Sequence, residues 1–79
     1  MKEAEEKLTR FLKKSTGHSN FGRKTDLVAK GIVSSFNMLE LIDFIEKEFE
    51  AKIDVDSLNP KTFNTVERIA RKIRIWLSK

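Results

Sequence analysis

Two adjacent hydroxyls, Ser34 and Ser35, stand where a glycine turn at Gly31 gives way to an uninterrupted amphipathic run ending near Phe49. A serine at the head of a helix is a good seat for a phosphodiester. The first backbone amides of a helix lack intrahelical partners, and the positive end of the dipole lies there. The same hydroxyls could equally serve as caps. At 100° per residue, Met38, Leu41, Ile42, Ile45 and Phe49 share one side, as a core-facing helix requires. Glu40, Asp43, Glu46 and Glu50 fall on the other, where Phe36 and Leu39 break the polar pattern. An acidic surface with apolar residues near its start, beside a pair of hydroxyls, points to docking next to an attachment point.

Other chemistry has little to build on. The chain contains no Cys, which excludes disulfides and Cys-based metal sites. His18 is the single histidine, has no second His or carboxylate pair near it in sequence, and reads as an exposed loop residue. There is no Gly-rich phosphate loop and no supported Ser/His/acid arrangement, and the acids follow solvent-face helical spacing. The expectation is a protein that is not an enzyme and has no metal site.

The elements that must position the serines follow from periodicity. Ala4, Leu8, Phe11 and Leu12 predict a first helix over Lys2 to about Lys14, with Lys13 and Lys14 suiting its negative end. Ser15 to Thr25 is rich in turn formers and reads as a loop, with Phe21 pinning it to the core. Arg23, Lys24 and Lys30 read as a solvated basic run, with a phosphate or partner contact as the weaker alternative. After the central helix, Ile53 and Val55 alternate as in a buried connector. A last helix is expected from about Thr65 to Leu77. Val66, Ile69, Ala70, Ile73, Trp76 and Leu77 form its core stripe, Arg68, Arg71, Lys72 and Arg74 its polar side, and Asn64 or Thr65 its cap.

Seventy-nine residues make one small domain, 1–79, near the lower limit for a self-sufficient core. The apolar runs are too short to span a membrane, and the charged start lacks the apolar segment of a secretory signal, so a cytoplasmic protein is expected. The net charge of +4 could indicate a nucleic-acid or membrane partner. The charges are segregated, however. Glu40, Asp43, Glu46, Glu48, Glu50, Asp54 and Asp56 face only Lys47 and Lys52 in the middle of the chain, so the excess positive charge lies towards its ends.

The central stretch resembles the signature of the acyl carrier protein family, including its peptidyl and D-alanyl carrier relatives. In that family a Gly precedes Asp-Ser-Leu, or a variant with Phe or Met, followed by an acidic helix. Aligned without gaps, the family serine falls on Ser35 with Phe36 after it, and Ser34 stands where the family has Asp. The resemblance covers about Asp26 to Ile73. It implies an all-α, carrier-type four-helix bundle with three main helices and a short third one. It also implies a 4′-phosphopantetheine arm on Ser35, holding acyl or aminoacyl groups as thioesters for fatty-acid, polyketide or related synthesis. Phe36, Leu39, Glu40, Asp43 and Glu46 would then meet partner enzymes: a phosphopantetheinyl transferase, a loading synthetase and downstream synthases. A monomer is expected, with neither nucleic acid nor membrane as partner. Asp56-Ser57-Leu58 repeats the family tripeptide and competes for the arm. Pro60 prevents a long helix after it, and the resemblance makes Asp56 the N-cap of the short third helix, which favours Ser35. The rival readings are an unmodified interaction module on the same fold and, on net charge alone, a basic nucleic-acid binder.

Overall fold

The computed structural model describes residues 2–53 and 62–77. The described residues are all-helical and contain no strand: α1 spans Lys2–Thr16, α2 spans Ser35–Glu48 and α3 spans Val66–Leu77. The short helix expected around Asp56, and with it Ser57, lies outside the described residues. No helix among those described is long and apolar enough to cross a membrane.

Each helix forms where its apolar spacing predicts, and each ends for a local reason. The first runs to Thr16, two residues past its expected end, because the Thr16 hydroxyl donates to the Leu12 carbonyl at 2.7 Å. Gly17 then takes a left-handed φ of 74°, and its amide donates to the Lys13 carbonyl at 3.2 Å, closing the helix. The second ends at Glu48 with Phe49 as its C-cap, whose amide donates to the Ile45 carbonyl, and Glu50 carries the reversal at a φ of 52°. The third is capped by Thr65, whose hydroxyl accepts from the Arg68 amide at 3.0 Å.

The core is one cluster drawn from all three helices. Ala4, Leu8 and Leu12 of α1 meet Leu41, Ile42 and Ile45 of α2 and Val66, Ile69, Ala70 and Ile73 of α3. Leu27, Ile32, Val33, Ile53 and Phe63 complete it from the connections. Met38, Phe49, Phe11, Phe21 and Trp76 pack at its edge, half-buried. Leu77 departs from the expected stripe. It is 46% exposed, because a residue in the last turn of α3 has little left to pack against. Phe44, which lies beside the stripe rather than in it, stacks on Phe11 with ring centroids 4.3 Å apart and meets Phe49 edge-on.

Candidate functional site

The approach to α2 is held by a compact turn. Asp26 Oδ1 accepts from the Ala29 amide at 2.9 Å, and the Asp26 carbonyl accepts from the Lys30 amide at 3.1 Å. Gly31 turns the chain at a φ of 70°, which lets the Ile32 and Val33 amides both donate back to the Leu27 carbonyl. With Leu27, Ile32 and Val33 buried, the residue after Val33 must emerge at the surface. That residue is Ser34.

The turn is also tied to the head of α3. The Leu27 amide donates to the Asn64 carbonyl at 2.7 Å, and Asn64 Nδ2 donates to Asp26 Oδ2 at 2.9 Å. Asn64 Oδ1 in turn accepts from Arg68 Nη1 at 3.0 Å, so Asn64 serves this junction and leaves the capping of α3 to Thr65. A second tie uses Arg23. Its guanidinium meets Glu5 of α1 at 2.6 Å and Glu67 of α3 at 3.0 Å, and its carbonyl accepts from the Glu67 amide. The hydrogen bond from Arg23 holds the Glu5 carboxyl below its ordinary pKa of 4.5, and Arg23 is itself pushed up by the same contact. The basic run expected to be merely solvated thus contains a strut between two helices.

The two serines have different roles. Ser34 is the N-cap of α2, with extended backbone and a reciprocal capping box to Asn37. The Asn37 amide donates to Ser34 Oγ at 3.2 Å, while Asn37 Oδ1 accepts from the Ser34 amide at 3.1 Å and from its hydroxyl at 2.8 Å. Ser35 is the first residue of the helix itself, and is exposed. Because its neighbour does the capping, its hydroxyl has no hydrogen-bond partner among the described residues. The Ser35 and Phe36 amides, which the capping box leaves free, and the positive dipole end lie beside it.

Helical register places Phe36, Leu39 and Asp43 on the outward line that starts next to Ser35. Phe36 is 70% exposed and Leu39 65% exposed, the most exposed large apolar side chains among the described residues. The acids, predicted as one face, are distributed more widely. Glu40 is exposed on the border with α1 and accepts from the Ser15 hydroxyl at 3.1 Å. Asp43 is exposed and pairs with Lys47 at 3.1 Å. Glu46 is half-buried on the far border, and its Oε2 accepts from the Ile53 amide at 3.3 Å. Glu48 pairs with Lys7 of α1 at 3.3 Å.

No known family model and no curated protein matches this chain. Its chemistry therefore has to be read from these residues. Among them no group of three His, Cys, Asp or Glu side chains gathers to hold a metal ion. His18 is an exposed loop residue whose amide donates to the Thr16 hydroxyl. What the site offers is one free hydroxyl on a rigidly capped helix end, bordered by exposed apolar side chains and a partly neutralised set of acids. Sequence reasoning missed the Asn37 partnership. A polar residue three positions after a cap residue was the available signal.

Proposed function

We propose that this chain is an acyl carrier protein, carrying an acyl or aminoacyl group as a thioester on a 4′-phosphopantetheine arm joined to Ser35. The observation that carries the reading is the division of labour between the two serines. Ser34 supplies the cap, so Ser35 is exposed with an unengaged hydroxyl where a phosphodiester is best accommodated. The residues present fit the arm: a free nucleophilic oxygen on Ser35, and the Ser35 and Phe36 amides that the capping box leaves unpaired. The arm would supply the thiol that a chain without cysteine lacks. Ser35 Oγ would bond to the phosphorus of coenzyme A that bears the pantetheine, releasing the nucleotide portion and passing its proton to the transferase.

On this reading the fold is a carrier-type four-helix bundle with three main helices and a short third one. Phe36 and Leu39 provide apolar contact for the transferase, the loading synthetase and downstream synthases. Glu40 and Asp43 supply charge, and Glu46 acts chiefly by holding the connector after α2. The protein does no catalysis of its own and works as a cytoplasmic monomer.

The test is intact mass after incubation with coenzyme A and a broad-specificity transferase. One phosphopantetheine should be added, fragmentation should place it on Ser35, and Ser35→Ala should abolish it. An arm on Ser57 overturns the site. No arm from any transferase, including those of the source organism, leaves the unmodified interaction module instead.

A further inference from the structure

The outward side of α3 carries a feature that the carrier reading does not use. Arg68, Arg71, Lys72 and Ile75 stand at i, i+3, i+4 and i+7 and so form one stripe, opposite the buried Val66, Ile69, Ala70 and Ile73. With Thr62 they line an open groove of about 410 Å³. Ile75 is 48% exposed on the outermost line of the helix. Glu67, the single acid of α3, is engaged by Arg23. Among the described residues, Arg71 and Lys72 have no carboxylate partner.

We infer that this face of α3 docks on an anionic lipid surface, with Arg71 and Lys72 at the headgroup phosphates and Ile75 in the boundary between headgroups and acyl chains. Charge complementarity selects an anionic partner, and the exposed aliphatic selects among anionic partners. Against a nucleic-acid backbone Ile75 would have nothing apolar to meet. The residue that could stack on bases, Trp76, is half-buried with its ring 6.1 Å from that of Phe63. At a bilayer the cations keep their heads at the phosphates while the aliphatic group leaves water. A few cations and one or two aliphatic residues give weak, reversible association rather than anchoring. The sequence alone points away from a membrane partner. The exposed Ile75 beside Arg71 and Lys72 is the ground for departing from that expectation, and it stands independently of the arm.

The experiment is co-sedimentation of the full chain with phosphatidylcholine vesicles, with and without phosphatidylserine, at physiological salt. Binding should require phosphatidylserine and shift the Trp76 emission. Arg71→Ala and Lys72→Ala should each lower affinity about fivefold. Ile75→Ser should lower it too, Ile75→Leu should retain it, and all four variants should melt like the parent because their sites lie on the surface. A duplex DNA oligonucleotide provides the contrasting arm. No retention on phosphatidylserine vesicles overturns the inference. So does vesicle binding indifferent to Ile75→Ser, and DNA binding tighter than vesicle binding with the same dependence on Arg71 and Lys72 assigns the face to nucleic acid.

Discussion

At the residue scale the informative pair is Ser34 and Asn37, since their box decides which serine is left free. Removing the cap should cost about 1 kcal/mol. Ser34→Ala should therefore melt about 4–8 °C below the parent by circular dichroism. Ser35→Ala should melt with the parent, because its hydroxyl holds nothing in the fold. The box also gives a physical context for serine where the resembled family has aspartate. An aspartate carboxylate in place of Ser34 could accept from the Asn37 amide and would favour the dipole. It could not donate to Asn37 Oδ1 as the Ser34 hydroxyl does at 2.8 Å. These changes oppose one another, so Ser34→Asp should stay within about 0.5 kcal/mol of the parent in stability. Its effect should appear in kinetics. Arm transfer by a general transferase should accelerate, and the gain should shrink as salt screens the added charge beyond about 8 Å at physiological ionic strength. An unchanged rate at low salt would mean that residue 34 is outside the transferase contact.

At the scale of elements, Arg23 makes the connection between α1 and α3 sensitive to acid. Glu5 has a folded pKa below 4.5, so its contribution is fully present above 4.5 and is lost as pH falls through the lowered folded value. Arg23→Ala should accordingly lower the melting temperature at pH 7, with the difference from the parent shrinking progressively below pH 4.5. A constant difference down to pH 2 would show that Arg23 acts through packing alone. This strut also marks where sequence reading stopped. Helix positions and most of the core were legible because Leu8, Leu41 and Ile69 belong to local periodic patterns, and local spacing is all that periodicity reports. Arg23 meeting both Glu5 and Glu67, and Asn64 meeting Asp26, join residues far apart in the chain, so no local pattern carries them. The same limit explains Glu46, whose i+3/i+4 spacing said solvent while the Ile53 amide turned it inward. At the site, the serine pair and the outward Phe36 and Leu39 were legible for the opposite reason, since all of them follow from the register of one helix.

At the scale of the whole molecule, a small core and an uneven charge distribution make opposite demands on neighbouring residues of α2. Leu41 is completely buried within a single cluster, and truncation at such a site typically costs about 2–5 kcal/mol. Since domains as a class hold only about 5–15 kcal/mol, Leu41→Ala should unfold a substantial part of the population. Glu40, one position earlier, is exposed, and Ser15 Oγ, which now donates to it, could accept from a lysine instead. Glu40→Lys should therefore melt within a degree or two of the parent, as surface changes of under about 0.5 kcal/mol do. Its effect should fall on encounter with partners presenting Arg or Lys, mainly as slower association that high salt conceals. Since Asp43 and Glu48 already carry internal cations, the charge open to a partner is smaller than the seven acids between Glu40 and Asp56 suggest. Leu39→Ala separates the two kinds of contact, because it deletes exposed apolar surface without touching charge. If loading slows in Leu39→Ala at every salt concentration and in Glu40→Lys only at low salt, apolar contact holds the complex and charge guides its formation. If both variants fold and load at the parent rate with every partner tested, α2 presents a solvated face, and docking through it is wrong even with the arm on Ser35.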